Sequence, residues 1–306
     1  MTDPLPTYAE LPVVAGAPPG SSWGVWGEDD KFGTLNLQTP ERARRAAESV
    51  RSGRWFALNL PFELPDPPLY NRARVRHEVT GELGGGHDDL LHDWNTQSST
   101  QWDGFRHFAH RSHGHYGGVA DQDHGMHFWA ERGIVARAVL ADVDRWRAAQ
   151  GRPLRQGESD PITGPEVLAC LEAQGTTVEV GDVLLVRTGW TTWYRTLDAD
   201  ARVAHAADLH TPGLAGRELP EVLWDLHVSA LALDNPGVDM WPPGPETGFF
   251  HLAALPLLGL PLGELWDLDG LADDCRSTGT YDSLLTSAPI NVHAGVASPA
   301  NAIAIR

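Results

Sequence analysis

The sequence predicts one α/β domain with a strand-rich core and a wrapped N-terminal arm. Three observations carry this. Apolar runs of strand length alternate with helix-start signals along the chain. Glycine and proline are plentiful, 32 and 23 of 306 residues, which favours many turns and short strands over long helices. No linker, repeat or low-complexity stretch divides the chain. Residues 1–54 therefore read as arm and first helix, and 55–306 as the body.

Taken in order, residues 1–35 are rich in Pro, Gly and Trp and read as an extended arm that wraps a neighbour. Thr39-Pro40-Glu41 opens a helix, with a hydroxyl N-cap, proline in the first turn and an acid near the positive end of the dipole. Glycine in Ser52-Gly53 supplies its stop. Residues 55–60 read as a strand, and the polar, Gly-rich stretch 70–92 as a hairpin with a mobile loop at 84–86. A helical stretch at 125–132 precedes a strand at 135–143. Thr163-Gly164-Pro165-Glu166 has the capping-box pattern and opens a helix ending at Gly175. DVLLVRT, residues 182–188, is a buried strand by its continuous apolar run. A helix at 220–226, a strand at 228–234, a short helix at 251–258 and one or two closing strands within 289–305 complete the reading.

Composition excludes several classes. A formal charge of −18 would repel a phosphate backbone, so nucleic acid is excluded as a partner. Cys170 and Cys275 are too few for a disulfide framework, lack CxxC spacing and suit a reducing cytoplasm. The first residues show no basic segment followed by an apolar run, and the longest apolar stretch, 252–262, is too short and proline-broken to span a bilayer. The expectation is a cytoplasmic protein with no membrane partner.

The chemistry concentrates in residues 97–110, QSSTQWDGFRHFAH, with an aspartate, two histidines, two glutamines and almost nothing a buried strand would want. Carboxylate, imidazole and amide at that density suit a metal-assisted or acid–base site, because each lone pair needs a partner once water is excluded. Nine of the fourteen histidines fall between His77 and His127. Singly, His110, His113, His115 and His124 read as structural. His107 differs, because Asp103 lies four residues before it and can hold an imidazole in one tautomer or share a metal with it.

The run 97–108 resembles the signature H-x-G-T-H-x-D-x-P-x-H-F of the cyclase family, metal-dependent hydrolases that include kynurenine formamidase, isatin hydrolase and trans-dienelactone hydrolase. Thr100, Asp103, His107 and Phe108 match; Gln97 and Gln101 stand where two histidines are expected, Ser99 replaces the glycine and Phe105 the proline. Residues 181–190, GDVLLVRTGW, resemble a second family segment. His251 with Glu264 resembles the family's later histidine–glutamate pair, and the ending Ser298-Pro299-Ala300-Asn301-Ala302 is also similar. The resemblance implies a swivelling β/β/α fold over 55–306 and a homo-oligomer. It also implies a metal site drawn from Gln97, Gln101, Asp103, His251 and Glu264, with His107 as general acid or base and Asp103 as its catalytic partner.

The glutamines bear on the metal. An amide oxygen is neutral and hard, so an oxygen-rich set favours Mn²⁺ or Mg²⁺ over Zn²⁺. The competing reading has Gln97 and Gln101 in a satisfied polar network without metal. Twelve tryptophans suggest an aromatic wall; Trp94 and Trp102 are the substrate-binding candidates, and Arg106 or Arg187 the candidates to orient a substrate carboxylate. The expected activity is hydrolysis of a cyclic or aryl amide or lactone with one divalent metal. The alternatives are a metal-free small-molecule binding protein and a dehydratase or isomerase using the same pocket.

Overall fold

The computed structural model describes residues 5–81 and 83–306. A nine-stranded mixed sheet forms its centre. Across the sheet the strands run Trp55–Ala57, Ala302–Ile305, Asp282–Ser287, Ile134–Asp142, Val183–Arg187, Ala230–Leu233, Leu262–Glu264, Gln101–Asp103 and Ala297–Pro299. The four from Ile134–Asp142 to Leu262–Glu264 are parallel. Helices cover them, so Val183–Arg187 and Ala230–Leu233 are buried at every position, and their sequences are continuous apolar runs rather than alternating ones. The antiparallel strand Asp282–Ser287 alternates between buried and half-buried, as a strand with one wetter face does.

Helix signals in the sequence act as read. Thr39 accepts from the Arg42 N–H, and Thr163 with Glu166 forms a complete capping box on Gly164–Ala173. The first helix is shorter than its sequence suggests: it spans Pro40–Ala46 and tightens into a 3₁₀ turn at Ala47–Ser49 before Gly53 is reached. The expected hairpin is present as Arg76–Thr80 paired with Asp88–His92.

The arm packs along the body of its own chain. Trp224 Nε1 donates to the Pro6 carbonyl at 2.8 Å, Trp23 Nε1 to Pro256 O at 2.8 Å, and Ser22 Oγ to Leu258 O at 2.9 Å. Its aromatic and hydroxyl side chains find apolar cover and carbonyl partners there. Thr34 N–H donates to Gly259 O at 2.8 Å; a Cβ on Gly33 would collide with that carbonyl, and Gly33 sits at φ +52. The arm thereby braces 254–258, a π-helical turn that follows directly on His251. No helix among the described residues is long and apolar enough to cross a membrane.

Candidate active site

Contrary to its composition, the polar stretch 101–103 is a strand, buried at all three positions. It pairs antiparallel with Leu262–Glu264, in the register Leu262↔Asp103, Gly263↔Trp102 and Glu264↔Gln101. Side chains alternate along a strand, so Gln101, Asp103 and Glu264 share one face. Trp102 must take the other. It is fully buried there, 4.7 Å from Trp266 between ring centroids, and donates to Ser287 Oγ at 2.9 Å. The expectation that Trp102 binds substrate is therefore corrected: its indole is core.

Gly104 follows the strand where a Cβ would come within 2.8 Å of Val296 O. The tight turn it permits, closed by His107 N–H to Gly104 O at 2.9 Å, brings His107 back beside Asp103. His107 Nε2 lies 3.8 Å from Asp103 Oδ2. From the far side comes His251, in the short helix His251–Ala253. Asp239 holds it, accepting from the His251 backbone N–H at 3.3 Å and lying 2.6 Å from Nδ1 through Oδ2. That contact leaves Nε2 of His251 facing Glu264 Oε1 at 3.1 Å and Asp103 Oδ2 at 3.8 Å.

The two glutamines present amide nitrogens to the acids. Gln97 Nε2 donates to Asp103 Oδ1 at 2.7 Å and lies 3.1 Å from His107 Nδ1. Gln101 Nε2 donates to Glu264 Oε2 at 2.7 Å. All five residues expected to gather thus meet His107 in one place.

Electrostatics follow from this crowding. Burial opposes ionisation of Asp103, but His107 and His251 outweigh it and hold the carboxyl below its usual range. Burial pushes Glu264 up, and the neighbouring Asp103 adds to the effect. Burial lowers His107, keeping its imidazole neutral at pH 7. For His251 burial acts in the same direction, yet Asp103, Asp239 and Glu264 surround it and raise it well above an ordinary histidine.

The donors fit a divalent ion. Ligand atoms of Asp103, His107 and His251 all lie within 4.8 Å of one another. Asp103 Oδ2 and Gln101 Oε1 are buried with no hydrogen-bond partner, a costly state that a cation would relieve. The separations of 3.1 and 3.8 Å around His251 Nε2 leave these donors close enough to share one ion.

A cavity of about 210 Å³ opens onto this cluster, lined by Tyr70, Phe108, Trp241 and Phe249 as its aromatic wall and by Arg72 and His107. Sequence reading missed Tyr70, Arg72 and Asp239, which belong to no motif; only the structure marks this loop, with two consecutive positive-φ residues, Tyr70 at 58° and Asn71 at 56°. Such backbone costs about 1–3 kcal/mol per residue and gathers at functional sites. Trp94 is not part of the cavity lining. Arg106 donates to Ala294 O and pairs with Asp121 at 2.6 Å, and Arg187 is buried among Asp142, Asp144 and Asp269. Both guanidiniums are held in structural contacts away from the cavity lining, which corrects their expected role on substrate.

A family model described as "Putative cyclase" matches residues 42–240. A solved structure described as a novel cyclase superposes with a TM-score of 0.81 at 28% identity, covering 94% of this chain and 99% of that one. Isatin hydrolase A from Labrenzia aggregata, bound to benzyl benzoate, gives 0.57 at 19% identity over 85% of this chain and 94% of its own. Isatin hydrolase A from Ralstonia solanacearum gives 0.57 at 17% identity over 88% and 98%. The fold is the one these structures share. No curated protein sequence matches the chain.

Proposed function

We propose, from the premise that this chain belongs to the cyclase family, that it is a metal-assisted hydrolase of a small cyclic or aryl amide or lactone. One observation carries the reading: Asp103, His251 and Glu264, far apart in sequence, converge beside His107 at the floor of an aromatic cavity. Asp103 and His251 would hold the ion with Glu264, which lies 3.1 Å from His251 Nε2, while His107, the third member of the close trio, is kept for acid–base work. Two carboxylates with one imidazole favour Mn²⁺ or Mg²⁺ over Zn²⁺. Bound there, a divalent ion supplies a Lewis acid that polarises the scissile carbonyl and makes water a stronger acid.

The chain's own groups do the rest. His107, neutral and facing the cavity, accepts a proton from the attacking water and returns it to the leaving nitrogen or oxygen. Asp103, 3.8 Å away, stabilises the imidazolium formed in between. Gln97 donates its amide nitrogen to Asp103 and packs against the His107 ring, and Asp239 sets the orientation of His251. Tyr70, Phe108, Trp241 and Phe249 displace water and accept a planar ring.

The test pairs elemental analysis with a screen of formamides, lactones and cyclic imides. His107→Ala is expected to lower kcat by about 10²–10⁴ while keeping its metal and its melting temperature. Full activity in that variant rejects the role assigned to His107; loss of the metal makes His107 a ligand. A second reading, a metal-free binding protein, has one observation in its favour: His251 stands among three carboxylates, Nδ1 at 2.6 Å from Asp239 and Nε2 at 3.1 Å from Glu264 and 3.8 Å from Asp103, which favour its protonated form and balance the acids without an ion. Ligand binding by metal-free protein that hydrolyses nothing would establish it.

A further inference from the structure

With Arg106 and Arg187 held in structural ion pairs, the cavity keeps one guanidinium, that of Arg72. Arg72 is fixed from two sides. Its Nη1 donates to the Gln97 carbonyl, and its Cζ lies 5.1 Å from the centroid of the Tyr70 ring. No carboxylate lies within ion-pair distance of it among the described residues. It is half-buried, and the left-handed pair at Tyr70 and Asn71 turns the chain so that residues 70 and 72 both line the cavity while Asn71 is exposed. The lining carboxylates Asp239 and Glu264 are engaged by His251 and Gln101, so Arg72, near the buried acids but bonded to none of them, presents an oriented guanidinium suited to bidentate capture of a planar anion.

Size limits what that anion can be. A cavity of about 150 Å³ already admits benzene, so one of about 210 Å³ takes a single substituted ring rather than an extended chain. Trp241 and Phe249 stand 6.4 Å apart between centroids, and Tyr70 lies 5.2 Å from Trp241. We propose that Arg72 anchors the carboxylate of a small aromatic acid in this cavity. Resting on the hydrolase reading above, this names the product side of the reaction. Water adds across the ring C–N or C–O bond, that bond breaks, the leaving nitrogen or oxygen takes a proton, and the new carboxylic acid ionises in neutral solution.

The experiment compares benzoate with benzamide, which match in shape and differ in charge, by calorimetry on the full chain at fixed ionic strength. Wild type is expected to bind benzoate tighter by about 10- to 100-fold, the range of a charge-assisted contact. Arg72→Met is expected to bring the ratio near one with benzamide affinity little changed, and Arg72→Lys to restore part of it. If Arg72 merely packs Tyr70 and holds the Gln97 carbonyl, the methionine variant weakens both ligands in equal proportion, which overturns the proposal. So does a benzoate preference that survives in Arg72→Met, or a wild type that binds neither probe. Hydrolysis and metal content are measured separately on the same samples. An inactive protein with Arg72-dependent selectivity therefore sinks the hydrolase reading alone.

Discussion

At Gln101, an amide standing where the family pattern has an imidazole changes both what the site donates and what it binds. Its nitrogen supplies a neutral donor to Glu264, and its oxygen is left buried without a partner. A histidine there would add a borderline nitrogen ligand beside Asp103. On the proposed metal-assisted reading, Gln101→His is expected to shift metal preference towards Zn²⁺, read by competition titration of metal-stripped protein. An unchanged preference would mean that position 101 does not face the ion. Asp103 and His107 were legible from their own chemistry and spacing, whereas His251, Glu264 and the ligand set were legible through the resemblance to the cyclase family. Asp239 was not: it is one acid among many, and only the fold shows that it grips His251. Tyr70 and Arg72 escaped for the same reason, since an aromatic and an arginine in a polar loop look like surface.

Elements proved legible where period and caps agree, and illegible where burial overrides polarity. Thr163 and Glu166 announced their helix, while Gln101–Asp103 hid as a strand because its polar side chains are paid for by partners on Glu264, Gln97 and His107. Had the strand been recognised, alternation alone would have sent Trp102 to the core. The segment GDVLLVRTG explains itself at this scale too. Val183–Arg187 is a central strand, Arg187 meets Asp142, Asp144 and Asp269 at 2.9–3.0 Å, and Asp234 accepts from Thr188 N–H and Gly189 N–H. This motif ties sheet to helices rather than touching ligand. Arg187→Met leaves buried acids uncompensated and is expected to cost about 3–5 kcal/mol in urea unfolding, at an unchanged m-value. A raised KM at wild-type stability would instead return Arg187 to the substrate.

Across the whole molecule, arm, sheet and helices share one core, and the two cysteines report on it from different helices. Cys170 lies in Gly164–Ala173 and Cys275 in Asp269–Thr278, both within the same cluster of buried residues. Burial pushes each thiol up to about 12 from an ordinary 9.0. The folded chain thus holds these protons more tightly than the unfolded chain. Their contribution to stability is complete below pH 9 and is lost as pH rises from 9 to 12. At pH 8 neither sulfur is nucleophilic or accessible, so iodoacetamide is expected to label neither in native protein. In a urea series both should become reactive at a common midpoint, matching loss of tryptophan fluorescence, because exposing either requires opening the shared core. Labelling of Cys170 at lower urea than Cys275, read by mass spectrometry of the two peptides, would divide the body into separately unfolding parts. The active-site face, built where Leu262–Glu264 meets Gln101–Asp103 and braced by the arm, would then belong to only one of them.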